Sequence, residues 1–386
     1  SANWEAVLYH EFCHTVTLAL TKNRMPRWLS EGISVYEEQA ANPAWGQRMT
    51  ADYRDRILSG RMQPISEMSA AFLRAQTGED VQFAYYQSYL VVEFLVQNYG
   101  LEPLAALLHS LGEGETINEA IARHYEPLPQ LDADFSAFAK EKASQLASDF
   151  RFERPESQGP SLMALLRPKR NYSEEFQRAQ ELLAEKDWSA AIERLEALIA
   201  ASGYLPGAEN AHAPLAAAYR ETGDVEREKA LLLEMTRHEA NRLGPVRRLL
   251  EIAIEQDDTP EIARWSDAWL AINPMAETPW RSLLAATSKL QVQEKAVRAG
   301  RSLAALQPPD LASIHYRLAS LLADDDAGEA RRHLLQALEE APRFQDAYKL
   351  YAQLQATEPE PAPRAEKPTA EDGLLEKLDL DNDFLR

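Results

Sequence analysis

His10-Glu11-Phe12-Cys13-His14 sets two imidazoles four residues apart near the start of a 386-residue chain that holds eight histidines in all. On an α-helix, residues four apart lie almost one above the other. Both rings then leave the same face and can grip one metal ion. Glu11 lies about 100° around the helix, at the edge of that face. From there its carboxylate can reach a metal-held water without being a ligand. The helix starts near Ser1–Trp4, with Asn3 as its candidate cap. Cys13 points off the ligand face by helical phase and reads as a small buried side chain, not a nucleophile.

H-E-x-x-H on a helix is the pattern of two zinc ligands and a carboxylate base. Catalytic zinc takes three protein ligands and keeps one position open, so a second element must supply another His or a carboxylate. Downstream comes Pro26-Arg27-Trp28-Leu29-Ser30-Glu31-Gly32-Ile33-Ser34-Val35-Tyr36-Glu37-Glu38. Asn23 to Pro26 reads as a turn, and Ser30 as the cap of a second helix with Glu31 in its first turn. A helix–turn–helix of this kind brings Glu31 back over His10 and His14. The plain alternative is a first-turn Glu stabilised by the helix dipole. Glu38, two helical turns after Glu31, is a candidate to orient an imidazole.

H-E-x-x-H followed at this distance by W-L-x-E-G resembles the gluzincins, most of all their peptidase-MA-like branch. The resemblance implies that His10, His14 and Glu31 bind Zn²⁺ and that Glu11 is the general base. The interval from His14 to Glu31 is slightly shorter than in thermolysin-like members, which is read as variation in the connecting turn. Phe83-Ala84-Tyr85-Tyr86-Gln87-Ser88-Tyr89-Leu90-Val91-Val92-Glu93-Phe94-Leu95 resembles the Y-x-x-G helix of aminopeptidase-N-like gluzincins, with Ser88 where that family has Gly. That likeness implies that Tyr85 donates a hydrogen bond to the oxyanion of the tetrahedral intermediate. Tyr86, one residue out of register, stays open as the alternative, as does a plain half-buried role for these tyrosines. Gluzincins place a β-sheet before the motif helix, and here only nine residues precede His10. The sequence is therefore expected to be a fragment whose substrate cleft lacks one wall.

The composition bounds the rest. Asp and Glu number 61 against 41 Lys and Arg, a net charge of −20, which excludes a nucleic-acid surface and disfavours adhesion to anionic membranes. No run of 18 apolar residues exists, so no membrane span is expected. One cysteine permits no internal disulfide and leaves the compartment open. Residues 1–150 read as mainly helical. Gly100 ends the Tyr85 helix, and short helices follow at Leu101–Leu111, Ile117–His124 and Leu131–Ala147. His109 and His124 have no partner at ligand spacing. Residues 151–172 lose periodicity, carry Pro155, Gly159, Pro160 and Pro168, and read as a linker with a solvated basic patch at Arg167–Arg170.

From Ser173 a period appears. Pro274, Pro308 and Pro342 lie 34 residues apart, each after an apolar helix, and Asp224 and Asp258 share the interval. A helix–turn–helix repeat of 34 residues resembles the tetratricopeptide repeat. Asp187-Trp188-Ser189-Ala190-Ala191 matches that family's hairpin turn, and Ala216–Tyr219 and Tyr316–Ala319 its first helix. About five to six repeats are expected over 173–356. Stacked hairpins bury one face on the next and present a groove for a peptide or protein partner, the alternative being an array that only spaces or caps the peptidase domain. Trp265, Trp269 and Trp280 gather around one repeat, as core aromatics do. Residues 357–386 read as a disordered acidic tail, whose Leu374, Leu375, Leu378, Leu380, Phe384 and Leu385 form either a docking helix or an unstructured end.

The fold expected is therefore mainly α: a metallopeptidase helical core followed by a tetratricopeptide-type solenoid. The function expected is zinc-dependent hydrolysis of peptide bonds in a peptide or protein substrate, with a protein partner held by the array. A non-catalytic scaffold with a relic peptidase domain is the rival, against which intact His10, Glu11, His14 and Glu31 argue. By resemblance only, a periplasmic or secreted bacterial setting is preferred to a cytoplasmic one.

Overall fold

The computed structural model describes residues 3–152 and 170–356; most of the expected linker and the whole tail lie outside the described residues. The chain divides into two compact units, one ending at Val292 and one beginning at Gln293. Nineteen α-helices and one 3₁₀ helix account for nearly all regular structure among the described residues.

The first helix, α1 (Trp4–Leu20), is capped by Asn3, whose side chain accepts from the backbone N–H groups of Glu5 and Ala6. It ends at a turn in which Lys22 and Asn23 adopt positive φ. Helix α2 runs Arg27–Ala41, so it begins at Arg27 behind Pro26 and not at a Ser30 cap. The reason is that Pro26 presets the first turn, which puts Ser30 inside the helix and buries it. There follow α3 (Ala51–Leu58), the 3₁₀ turn Ile65–Ala70, α4 (Ala71–Arg74) and the 22-residue α5 (Gly78–Tyr99). Thr77 and Asp80 close a capping box on α5, and Gly100 at φ 83° ends it. Helices α6 (Leu101–Glu113), α7 (Ile117–His124) and α8 (Leu128–Gln145) complete the bundle. Helix α8 starts three residues before the expected Leu131, because Pro129 is preorganised for its first turn, and it stops short of Ala147, whose φ of 46° is not helical.

The core of this bundle is α5 packed on α2. Trp28, Leu29, Ile33 and Val35 from α2 meet Leu90, Val91, Val92 and Leu95 from α5, all nearly excluded from water. Gly32 makes the contact close: a Cβ there would stand 2.5 Å from the Ser88 carbonyl oxygen. The outer row of α1 stays exposed, with Trp4, Leu8, Phe12, Val16 and Leu20 at successive four-residue intervals.

A two-residue parallel pair, β1 (Phe150–Arg151) with β2 (Arg170–Asn171), joins the bundle to the hairpins. Phe150, Phe152 and Tyr172 are buried together there. The hairpins of the first unit are α9 (Tyr172–Ala184) with α10 (Trp188–Ser202), α11 (His212–Thr222) with α12 (Val225–His238), and α13 (Leu243–Glu255) with α14 (Thr259–Ile272), followed by α15 (Glu277–Lys289). The second unit holds α16 (Gln293–Ala305), α17 (Leu311–Leu322), α18 (Ala327–Glu340) and α19 (Gln345–Ala356). Helices starting at residues 243, 277, 311 and 345 keep the 34-residue register. Asp187, Asp224, Asp258 and Asp326 each cap the helix after a hairpin turn, accepting from the N–H three residues on. That is the physical content of the repeated Asp. In the first unit the hairpins also bond back to the bundle: Ala240 N–H donates to the Ala44 carbonyl at 3.0 Å, and Arg48 Nε to the His238 carbonyl at 2.8 Å. No described helix is long and apolar enough to cross a membrane.

Candidate metal centre

Two helices build the site. Helix α1 carries His10 and His14 one turn apart, their rings edge to face at 4.6 Å between centroids. Helix α2 turns back across them and brings Glu31. Glu31 Oε2 lies 3.3 Å from His10 Nε2 and 3.3 Å from His14 Nε2. One ligand atom from each of the three residues falls within 4.8 Å of the others, the one such His/Cys/Asp/Glu group among the described residues.

The far side of each ring is held as well. His10 Nδ1 lies 3.3 Å from Glu38 Oε1. His14 Nδ1 lies 2.8 Å from Ser30 Oγ and 3.2 Å from Ser34 Oγ. With Nδ1 held from outside, each Nε2 is turned toward Glu31, where it can ligate a metal once it gives up its proton. Glu38 thus sits where the helical phase puts it. Ser30 and Ser34 were not expected here. Their signal was the face they share with Glu31 and Glu38, a polar edge on a helix that otherwise buries Trp28, Leu29, Ile33 and Val35.

Electrostatics follow from the packing. Burial works against charge on His10, but its bonds to Glu31 and Glu38 outweigh this and raise its pKa to about 9. Burial pushes Glu31 up, while the His10 bond, the His14 charge and Arg27 bring it below its ordinary value. Cys13 is buried behind the motif, and burial followed by the charges of Glu37 and Glu38 holds its thiol above the usual range. A thiol so placed is a poor nucleophile.

Glu11 is exposed on α1, next to His10. Tyr85 comes from α5 and faces the same cluster, its hydroxyl 3.5 Å from Glu31 Oε1. Tyr86 points the other way: it is 1 % exposed and stacked on Tyr53 at 4.9 Å. Tyr85, and not Tyr86, is thus the tyrosine whose hydroxyl lies beside the cluster. Arg27, which no motif singled out, joins the group: Nε lies 3.3 Å from Glu31 Oε1, and Nη2 donates to the Tyr85 hydroxyl at 2.9 Å. His124 bonds Ser110 at 2.8 Å, away from this centre.

The donor set suits zinc. Zn–N and Zn–O bonds of about 2.0–2.1 Å put neighbouring corners of a tetrahedron about 3.3 Å apart. Both imidazole–carboxylate separations have that value. Two imidazole nitrogens and one carboxylate oxygen also make the three-ligand set of catalytic zinc.

Residues 2–140 match the family model of the Peptidase MA superfamily. A comparison with curated proteins finds no match. Among solved structures, a MamA from Desulfovibrio magneticus RS-1 is 16% identical at a TM-score of 0.31, over 45% of this chain and 96% of that one. YrrB, described as a TPR protein with an unusual peptide-binding site, is 12% identical at a TM-score of 0.34, over 48% and 95%. The helical-repeat assignment here rests on the 34-residue register of the hairpins themselves.

Proposed function

We propose that this chain carries the catalytic centre of a zinc-dependent peptidase, joined to helical-repeat hairpins that bind a peptide or protein. The convergence of His10 Nε2, His14 Nε2 and Glu31 Oε2 carries the reading. The family match over residues 2–140 supports it.

His10, His14 and Glu31 would hold the ion. When bound, zinc supplies Lewis-acid polarisation of the scissile carbonyl and of the attacking water. Glu11, exposed at the edge of the ligand face, is the base that accepts the water proton and returns it to the leaving amine. Tyr85 donates to the negative charge that develops on the carbonyl oxygen. Glu38, Ser30 and Ser34 fix the imidazole orientations through Nδ1. Stacked hairpins expose extended surfaces suited to extended polypeptide, which is the proposed part of the array in substrate or partner binding.

The test separates metal from chemistry. Wild type should purify with about one zinc per chain, and His14→Ala with almost none. Glu11→Gln should keep its zinc and lose about 10²–10⁴-fold of peptide hydrolysis, the usual worth of a general base. Equal zinc in wild type and His14→Ala would overturn the site. Equal hydrolysis in wild type and Glu11→Gln would overturn the mechanism.

A further inference from the structure

Glu31 uses its two oxygens differently. Oε2 faces both imidazoles at 3.3 Å. Oε1 faces away from them, toward Arg27 Nε at 3.3 Å and the Tyr85 hydroxyl at 3.5 Å. Arg27 lies one turn before Glu31 on α2, and its guanidinium reaches across to α5, where Nη2 donates to the Tyr85 oxygen at 2.9 Å. The guanidinium plane is supported from below: its carbon sits 4.4 Å from the centre of the Phe72 ring, and Phe72 meets the Tyr85 ring edge to face at 5.0 Å. A planar fork held on an aromatic face is preorganised to engage two acceptors in fixed directions, which a single ammonium cannot do. The Arg27 side chain nevertheless remains 59% exposed. An arginine that serves only to fill the core would be covered; this one stands at the open side of the cluster.

We infer that Arg27 is a positioning residue of this centre: one guanidinium holds Glu31 Oε1 and the Tyr85 oxygen together, so that Glu31 offers a single oxygen to the metal and Tyr85 is kept beside the cluster. The inference rests on the zinc reading above. Two consequences follow from the bonding. Glu31 Oε1, engaged by a cation, competes poorly as a second metal donor, so coordination stays with Oε2 and a position remains open. The Tyr85 oxygen accepts from Nη2–H, and its own O–H donates to Glu31 Oε1 at a long 3.5 Å, a weak bond that the hydroxyl can exchange for an acceptor in the cleft.

The experiment measures metal, not turnover. Zinc affinity of the full chain is determined by competition with a chromophoric chelator for wild type, Arg27→Met and Arg27→Lys, with Glu31→Gln as the ligand control. Each protein is then loaded with Co²⁺ and its visible d–d spectrum recorded. Arg27→Met should bind zinc about 10–100-fold more weakly than wild type, the usual effect of removing a residue that orients a ligand. Its Co²⁺ bands should lose intensity, as the released carboxylate adds its second oxygen and raises the coordination number. Arg27→Lys should fall between, because an ammonium can hold one of the two oxygens. Arg27→Met within twofold of wild type, with an unchanged Co²⁺ spectrum, overturns the inference. Failure of wild type itself to bind zinc overturns the underlying reading instead. Melting of the chelator-treated proteins checks folding. Since Arg27 is largely exposed, Arg27→Met and Arg27→Lys should melt with wild type. Should Arg27→Met melt early, Arg27→Lys carries the comparison, and wild-type zinc affinity in it would likewise overturn the inference.

Discussion

Gly32 is the position at which a single methyl group should do most harm. A Cβ there would stand 2.5 Å from the Ser88 carbonyl oxygen, 2.8 Å from its carbon and 2.9 Å from Val92 Cγ2. Ordinary contact begins at 3.4 Å, so α2 would have to retreat from α5 by up to 0.9 Å (3.4 − 2.5). Two of the three obstacles are backbone atoms of a buried helix and cannot swing aside. Overpacking of this kind costs about 1–3 kcal/mol. Replacing Gly by Ala inside a helix returns about 1 kcal/mol of backbone entropy. The steric cost should win, leaving a net loss of up to about 2 kcal/mol and a melting temperature lower by up to about 8 °C. Gly244 in α13 is the control, since a Cβ there meets nothing within 4 Å. Gly244→Ala should be neutral or slightly stabilising. Far-UV circular dichroism melting of the three proteins in chelator decides the matter. If Gly32→Ala melts at or above wild type, the α2–α5 crossing is not sterically limited at Gly32, and the account of how Glu31 is brought to Tyr85 fails with it.

Three further outcomes follow from charge. His10 has its pKa raised from 6.5 to about 9 by Glu31 and Glu38 against the effect of burial, so zinc uptake must expel its proton; apparent zinc affinity should rise about tenfold per pH unit up to about pH 9, and a flat profile between pH 6 and 8 would refute the pairing. For the metal-free protein the sign is the reverse: a raised histidine pKa stabilises the fold fully below 6.5, and that contribution is lost as pH rises through about 9, which urea unfolding at pH 6 and pH 9.5 in chelator would register. In the hairpins, Glu228 on α12 is 2 % exposed and is gripped by Arg248 on α13 at 2.7 and 3.1 Å. Arg248→Met should therefore destabilise by about 3–5 kcal/mol by stranding a buried carboxylate, whereas the double change Glu228→Gln/Arg248→Met should recover much of it; equal melting of wild type and Arg248→Met would show the pair to be idle.

How much of the centre was legible in sequence depended on how local each relation was. His10 and His14 are one turn apart, and helical period alone puts their rings together. Glu38 was reachable by the same counting from Glu31. Glu31 needed the motif's company, because its approach to α1 crosses a turn whose path no periodicity states. Ser30 shows the limit: as a Ser before an acidic residue it reads as a cap, yet Pro26 starts the helix one turn earlier and Ser30 becomes a buried partner of His14. Tyr85 and Tyr86 differ by about 100° of helix rotation, which only the packing of Tyr86 on Tyr53 decides. Arg27 was silent in the sequence, since its reach to Tyr85 spans 58 residues.

By itself, then, the sequence determined what repeats or recurs at helical spacing: an α-helical chain, a motif helix with both imidazoles on one face, and hairpins in a 34-residue register capped by Asp. Those features arise from backbone geometry and short-range hydrogen bonds, which a few neighbouring residues specify. The tertiary structure decided the angle and distance at which α2 crosses α1 and α5, and with it the meeting of Glu31, Arg27 and Tyr85. That crossing is set by the close approach at Gly32 and Ser88 and by burial of side chains contributed from distant parts of the chain, a property of the packed core that no local run of residues contains.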